Sequence, residues 1–284
     1  MLKTPIHLIE ETVFSIQDAD GAECSIRDAD WCDQDGLVLY VFAKMKSWII
    51  IQNDWIPSPI ADDSAFVRWL DGERILLVRR RSSGRDPNVF LLNLTGEIID
   101  SFHAGDAIEG VVVGSEGVWI SYYYGEFREG LPGEKLILFD LQGNPIFKYK
   151  TDLSTKPDIL EILALVKGKN SSVWIAPLMK PLMKIVPESE VITIHEDPKL
   201  VNAGTFAFSI RGDFVYFVLE DSKWAYACRL GEEEAQPIGK IEGVSRGLGP
   251  RESYNFIAHP RNSGEVKLYR IENKEEYFLA EVLE

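Results

Sequence analysis

A repeated pattern of four short apolar segments constrains the fold of this chain more than any other feature of its sequence. The clearest copy runs from Ile108 to Lys150 and reads IEGVVVG, SEG, VWISYYYGE, FREGLPGE, KLILFDL, QGN and PIFKYK. β-Branched and aromatic runs alternate here with turns rich in Gly, Asp and Asn, which is typical of antiparallel strands joined by hairpins. Each copy therefore predicts a small sheet of four strands.

The other copies follow the same order of strands and turns. The copy before it contains FVRWL, RILLVRRR, VFLLNL and EIIDSF, and its hairpin LLNLTGEIID matches LFDLQGNPIF of the clearest copy. Weaker copies begin near Cys24, Ile159, Gly204 and Tyr254. A spacing of roughly 40 to 55 residues is the period of four-stranded propeller blades. The sequence therefore predicts an all-β fold, a single β-propeller of about six four-stranded blades, with residues 1–284 as one domain.

The first and last segments fit a closed ring of blades. The last copy contains three strands, and the segment IHLIEETVF precedes the first full copy. A terminal strand that completes the last blade closes a propeller and removes exposed strand edges. We therefore expect residues 6–14 to pair with the C-terminal blade.

Residues 159–166 admit two interpretations. The sequence Ser154-Thr155-Lys156-Pro157 before ILEILALV is an acceptable helix start. The segment SSVWIA that follows matches EGVWIS of the clearest copy, which favours a first blade strand over a helix.

The composition restricts the partners of the chain. It contains 30 Lys and Arg against 45 Asp and Glu, a formal net charge of −15. Nucleic-acid binding needs a basic surface, so this class of partner is not expected. An acidic chain favours a basic protein partner, although the charge also serves solubility by itself.

Other features of the composition bear on location. The longest apolar runs are far short of the ~20 residues of a membrane helix, and the start carries no secretory pattern. Three cysteines form an odd count, which predicts reduced thiols. We expect a cytoplasmic monomer with no membrane contact.

One stretch carries a resemblance to known proteins. The run HAGDAIEGVVVGSEGVWISYYYGE and the downstream LILFDLQGNPIF resemble bacterial β-propellers of the WD40-like and kelch-like kind. Within that superfamily they are most similar to poorly characterised bacterial propellers with a GxIWVSY strand and an LxxFDxxGN hairpin. Two or three blades match well and the others match by pattern, while the Gly-His and Trp-Asp pairs of true WD40 repeats are missing. The resemblance implies the fold and transfers no catalytic residue.

Motifs for catalysis and metal binding are weak. Residues 243–247 read GVSRG and match the nucleophile elbow G-x-S-x-G, but the following Leu-Gly-Pro cannot start the helix that the elbow needs, so we expect an inter-blade loop. Residues 28–36 hold four carboxylates without the spacing of a calcium loop, which predicts a solvated turn. The four histidines are isolated. The sequence therefore predicts no catalytic residue, no metal site and no cofactor.

The loops between strands two and three share one end of a propeller with the segments that join successive blades, and such loops often carry function. Arginine and tyrosine, the residue types of binding hot spots, concentrate there. Alternatively, alternate residues of RRR and YYY face solvent or the neighbouring blade. The candidate binding residues are Arg79, Arg81, Arg85, Asp106, Glu109, Tyr123, Tyr124, Glu126, Arg128, Arg251 and Glu252.

Two classes of function remain. The favoured class is a non-enzymatic scaffold that binds a protein through the loops rich in Arg and Tyr, with neutralisation or recruitment of a basic protein as a narrower version. The alternative is a hydrolase or lyase at the mouth of the central channel, acting on a sugar, lactone or peptide. It would need carboxylates from several blades to converge, and the candidates are Asp106, Glu109, Glu126 and Glu252.

Overall fold

Six four-stranded antiparallel sheets stand in a ring around a central channel. The computed structural model describes residues 6–16, 24–62, 64–123, 130–189, 191–195, 204–260 and 264–273. Each sheet is one blade, and its strands follow one another from the channel outwards in chain order, except in the last blade. The predicted six-bladed propeller is confirmed.

The first three blades span residues 24–148. Blade 1 consists of β2 (Cys24–Cys32), β3 (Gly36–Ala43), β4 (Lys46–Ile51) and β5 (Asp54–Pro57). Blade 2 consists of β6 (Ala65–Asp71), β7 (Arg74–Arg79), β8 (Val89–Asn93) and β9 (Ile98–Phe102). Blade 3 consists of β10 (Ile108–Val113), β11 (Val118–Tyr122), β12 (Leu136–Phe139) and β13 (Pro145–Lys148).

The remaining blades complete the ring. Blade 4 consists of β14 (Ile162–Lys167), β15 (Val173–Pro177), β16 (Leu182–Val186) and β17 (Val191–His195). Blade 5 consists of β18 (Thr205–Arg211), β19 (Phe214–Leu219), β20 (Trp224–Arg229) and β21 (Gln236–Lys240). Blade 6 consists of β22 (Val244–Gly247), β23 (Phe256–His259), β24 (Glu265–Glu272) and β1 (His7–Ser15). The described helices are α1 (Tyr149–Asp152) and two 3-10 turns, Leu131–Glu134 and Pro187–Ser189.

The N-terminal strand closes the ring as expected. Strand β1 pairs antiparallel with β24, with His7 opposite Glu272 and Ser15 opposite Glu265. The Lys267 ammonium also donates a 2.7 Å hydrogen bond to Glu10 across this pair. The prediction that residues 6–14 complete the C-terminal blade is therefore confirmed.

The core lies between blades. Val38 and Tyr40 of blade 1 pack against Val67 and Trp69 of blade 2, and each of the other apolar clusters likewise joins neighbouring blades. The second strand of each blade is covered on both faces by the neighbouring blades. This explains why its sequence is a continuous apolar run rather than an alternating one. The apolar side chains whose pattern predicts the strands therefore also pack the blades against one another.

The antiparallel order of the strands gives the ring two different ends. We call the end formed by the loops between strands two and three and by the segments between blades the loop face. The opposite end, formed by the turns between strands one and two and between strands three and four, is the turn face. An inner strand such as Ala65–Asp71, with 7 residues, separates the faces by about 20 Å.

Two ambiguous segments are resolved as strands. Residues 159–166 were favoured as a strand over a helix, and Ile162–Lys167 forms β14, which confirms the strand. The GVSRG segment, expected in an inter-blade loop, instead contains β22, so that expectation was wrong. Gly247 is needed there because a Cβ at this position would overlap the carbonyl oxygen of Phe208 in blade 5. The glycine thus allows two inner strands to approach closely, which a local motif does not reveal.

The described residues contain no helix with the length and apolar character required to span a membrane.

Candidate functional site

The arginine-rich loop of blade 2 meets the segment that leads into blade 3 on the loop face. The Arg80 guanidinium lies 2.5 Å from the Glu109 carboxylate, and Arg81 lies 3.9 Å from Asp106. Asp106 also accepts a 2.9 Å hydrogen bond from the backbone N–H of Ser82. The structure thus brings Arg81, Asp106 and Glu109 together, with both carboxylates occupied by residues of this chain.

The other arginines of this loop differ in exposure and in their contacts within the chain. The Arg79 guanidinium lies 5.5 Å from the centre of the Phe90 ring and donates a 2.7 Å hydrogen bond to the Pro87 carbonyl. Arg81 has a side-chain exposure of 66%. Arg85 is exposed and has no hydrogen-bond or ion-pair partner in the described part of the chain. Arg81 and Arg85 are therefore the members of this set that can reach another molecule.

The remaining sequence-predicted residues divide between the two faces. Tyr123 is 45% exposed on the loop face, and its N–H donates to the Ala107 carbonyl at 2.8 Å. Arg251 and Glu252 lie in the connection from β22 to β23, which belongs to the turn face, so the expectation that they join the other candidates was wrong. The reason is β22: the sequence predicts a loop there, whereas the strand carries the following connection to the opposite end of the ring. The last three candidates, which lie outside the described residues, are Tyr124, Glu126 and Arg128.

Two exposed methionines on the loop face were missed by sequence reasoning. Met45 is 85% exposed at the turn between β3 and β4, and Met179 is 73% exposed at the turn between β15 and β16. Both have a left-handed backbone, with φ of 61° and 56°. Blades 1 and 4 stand opposite each other in a ring of six. Further apolar residues exposed on this face are Leu160, Phe206, Trp224 and Val244.

Bulges near the loop-face ends of the inner strands add to this surface. The pairing of the first two strands shifts register at one residue in blades 1, 3, 4 and 5, namely Arg27, Glu109, Leu163 and Phe206. A bulge leaves the extra residue unpaired and changes the direction of its side chain. Arg27 and Phe206 are exposed as a result. A single-residue irregularity of this kind leaves no signal in an apolar pattern.

Charged side chains of the inner strands pair between neighbouring blades along the channel wall. Asp28 of β2 pairs with Arg68 of β6, and Asp30 pairs with Arg246 of β22. The Arg68 side chain is only 4% exposed. Burial lowers the pKa of the Arg68 guanidinium, as does the nearby charge of Arg246, while Asp28 and Asp30 act in the opposite direction. The expectation of a solvated turn at residues 28–36 was therefore wrong for its first residues, since Asp28 and Asp30 lie within β2, with Asp30 buried and Asp28 partly buried.

These ion pairs also satisfy the backbone of neighbouring blades. Asp28 accepts a 2.8 Å hydrogen bond from the Val67 N–H, and Arg68 donates a 2.9 Å hydrogen bond to the Val111 carbonyl of blade 3. The N–H of Trp69 donates to Asp30 at 2.8 Å. An inner strand has one unpaired edge, and polar groups on such an edge need partners when they are buried. The channel charges therefore join the blades, which is a structural role.

A small cavity opens where the channel meets the turn face. Its volume is about 140 Å³, and its lining includes Trp31, Trp69, Lys167, Arg246 and Glu252. A cavity of this size holds a group about as large as benzene, whereas sites for drug-sized ligands occupy roughly 300 Å³ or more. The space suits one side chain or one small molecule.

Glu252 is one of four acids that line this cavity, together with Asp30, Asp35 and Asp71. It accepts a 2.9 Å hydrogen bond from the Asp33 N–H. Burial raises the pKa of Glu252, and the charges of Asp33 and Asp30 raise it further, while that hydrogen bond and the charge of Lys167 lower it. The described residues offer Lys167 no ion-pair partner.

Three of the four carboxylates proposed for catalysis lie within the described residues, and these three do not converge. Asp106 and Glu109 lie on the loop face and Glu252 lies on the turn face, about 20 Å away along the inner strands. Glu126 lies outside the described residues. Within the described ranges, no group of three His, Cys, Asp or Glu side chains is placed to hold a metal ion.

Charge is distributed unevenly between the faces. On the turn face, the connections contain Lys169 and Arg251 as bases, and their acids are Asp33, Asp35, Glu73, Glu97, Glu116, Asp140, Glu188, Asp213, Glu232, Glu233, Glu234 and Glu252. On the loop face, cations are nearly as numerous as carboxylates, and the cations are Lys44, Arg80, Arg81, Arg85, Lys135, Lys150, Lys156, Lys180 and Lys223. The acidic excess of the described connections therefore lies on the turn face.

The fold and its channel define the class: the chain is a six-bladed β-propeller. The solved structures similar to it are propeller proteins. Virginiamycin B lyase from Staphylococcus aureus is 11% identical, with a TM-score of 0.58 over 93% of this chain and 99% of that one. The Cps50 (Swd1) β-propeller domain of Myceliophteria thermophila is 11% identical, with a TM-score of 0.53 over 86% of this chain and 82% of that one.

YCF48 from Cyanidioschyzon merolae is also similar in structure, at 11% identity and a TM-score of 0.53, over 92% of this chain and 98% of that one. No protein-family model and no curated protein sequence matches the chain. Identities this low show the fold alone, so the function has to be argued from the two faces.

Proposed function

We propose that this protein is a non-enzymatic scaffold that binds a protein partner through its loop face. The observation that carries the proposal is the pair of exposed methionines at the turns of blades 1 and 4. Met45 and Met179 adopt a left-handed backbone, which costs a residue with a side chain about 1–2 kcal/mol and is usually left to glycine or asparagine. The turns themselves impose this backbone, and Lys44 beside Met45 shares it, but neither methionine is buried within this chain, so neither side chain gains packing energy here.

A partner would supply the missing packing. Full burial of a methionine side chain contributes about 1.5–3 kcal/mol, and methionine adapts its shape to irregular surfaces. Arg81, Arg85 and Tyr123 stand on the same face and are of the residue types that dominate binding energy. Apolar contacts, arginine and tyrosine on one face together form the composition of a protein interface rather than of a surface that only faces solvent.

The net charge of −15 favours a basic partner in the narrower form of this proposal. In the described connections, the excess of carboxylates over cations lies on the turn face. A basic partner, recruited or neutralised, would accordingly be attracted to the turn face, while the loop face selects its partner by its own residues.

Substitution of the two methionines tests the proposal. The double variant Met45→Ser, Met179→Ser removes the exposed apolar tips, and Leu94→Ser removes an exposed leucine from a turn on the turn face as a matched control. Tagged wild-type protein and Leu94→Ser should capture the same protein from native lysate and co-elute with it at a stoichiometric ratio, and the double variant should lose it. Equal capture by all three proteins, or no stoichiometric partner, would contradict the proposal.

A hydrolase or lyase at the mouth of the channel is the second candidate, and one observation favours it. The turn-face cavity places Glu252, a carboxyl with a raised pKa, near the cation of Lys167, and raised carboxyl pKa values are common among catalytic acids. Glu252→Gln should abolish any lactone, glycoside or peptide cleavage detected with the pure protein. Activity that survives this change would exclude the cavity as the active site.

A further inference from the structure

We infer that the partner of the loop face presents an apolar segment flanked by carboxylates; this inference rests on the proposed loop-face scaffold. The same pair of residues recurs at opposite sides of the ring. Met45 is followed by Lys46, and Met179 is followed by Lys180. Each exposed apolar tip thus carries a cation beside it.

The cations at these positions are unoccupied. Lys46, Arg85 and Lys180 are exposed, and none of their side chains has a hydrogen-bond or ion-pair partner within the described residues. In the segment that leads into blade 3, Glu109 pairs with Arg80 and Asp106 accepts from Ser82, whereas Asp86 beside Arg85 is exposed. The free charges beside the apolar tips are therefore positive, and complementary charge on a partner means Asp or Glu.

The acidic character of the whole chain does not oppose this pairing. The carboxylates of the turn face are about 20 Å from the loop face, a distance estimated from the length of an inner strand. Charges are largely screened beyond about 8 Å at physiological ionic strength. A partner on the loop face therefore experiences the local cations rather than the net charge.

A protein segment fits this surface better than an anionic membrane does. The loop face also carries exposed carboxylates at the same end of the ring as the cations. Among them are Asp158, Glu220 and Asp221. A uniformly negative bilayer would be attracted to the cations and repelled by these groups. A protein segment can place its charges selectively, so that its carboxylates meet Lys46 or Lys180 and its apolar side chains meet a methionine.

A displayed library of random 12-residue peptides provides the probe. The full-length protein is used as bait beside three variants: Lys46→Glu with Lys180→Glu, Met45→Ser with Met179→Ser, and Lys169→Glu as a charge reversal on the turn face. All changed side chains are exposed, so thermal unfolding should be unaltered. Wild type and Lys169→Glu should enrich peptides with Asp or Glu beside Leu, Phe or Trp, and the Lys46/Lys180 reversal should weaken their binding about 10-fold.

The outcomes separate this inference from the proposed function. One outcome is that wild type instead selects basic or uncharged peptides whose binding is independent of salt and disappears in the methionine variant. That result would support the loop-face scaffold and overturn the inference of an acidic partner. Peptides that bind the methionine variant as well as wild type would overturn both. Binding of wild type to phosphatidylserine vesicles without any peptide enrichment would also overturn the acidic segment, in favour of a membrane.

Discussion

The buried ion pair between Asp28 and Arg68 should contribute more to stability than a surface pair of the same chemistry. Arg68→Met keeps much of the side-chain volume but leaves the Asp28 carboxylate without its cation and the Val111 carbonyl without its donor. Removal of one partner from a buried pair costs about 3–5 kcal/mol. The 4% exposure of Arg68 places this pair in that regime.

The pair between Asp71 and Arg74 is the matched control. Its side chains are 41% and 38% exposed and three residues apart in sequence, so Arg74→Met should cost at most about 1 kcal/mol. Urea unfolding followed by tryptophan fluorescence measures both variants against wild type. The double variant Asp28→Asn, Arg68→Met removes both charges, keeps an oxygen for the Val67 N–H, and should be more stable than Arg68→Met alone.

The reasoning is refuted if Arg68→Met and Arg74→Met shift the unfolding free energy by the same amount. In that case the channel charges would be solvated in solution rather than sealed between blades. If the double variant is as unstable as Arg68→Met, the loss arises from packing or from the Val111 carbonyl rather than from the unpaired carboxylate.

Three further predictions concern packing, pH and closure. Gly247→Ala should lower the thermal midpoint, because the added Cβ overlaps the Phe208 carbonyl and overpacking costs about 1–3 kcal/mol. Gly249→Ala is the control, since its Cβ would make ordinary contacts and should leave the midpoint unchanged. The fold raises the pKa of Glu252, so wild type loses stability as the pH rises from the pKa of the unfolded carboxyl to that of the folded one. The thermal midpoint of Glu252→Gln should therefore rise relative to that of wild type from about pH 4 to about pH 7. A difference that stays constant over this range would contradict the prediction. Leu8→Asp places a charge where β1 packs against blade 5, so amide exchange in β24 should accelerate, and unchanged protection would show that β1 does not close the ring in solution.

Much of the fold could be predicted because its signals are local. The hairpins of blades 2 and 3, the strand at Ile162–Lys167 and the closing strand His7–Ser15 all follow from apolar runs, turn residues and the repeat period. Strand β22 was missed because its sequence, VSRG, has the composition of a loop. It is a strand because it completes the channel wall between blades 5 and 1, a requirement of the ring and not of the segment.

The candidate sites were less predictable, for the same reason. The loop rich in arginine could be assigned to the correct end of the ring, but Glu252 could not, since its position depends on the missed strand. Asp28 and Asp30 were interpreted as part of a solvated turn, although their partners, Arg68 and Arg246, are 40 and 216 residues away along the chain. No local pattern reports a contact over that distance.

The repeated strand pattern therefore established the blades, their number and the strand that closes the ring, because hairpins and apolar alternation act between neighbours in sequence. The tertiary structure alone decided which charges are sealed in the channel and which residues share a face. It also showed that the exposed Met–Lys tips stand on opposite blades. Those properties depend on the angle at which each blade meets the next and on closure of the whole ring, and they exist only once residues distant in sequence are in contact.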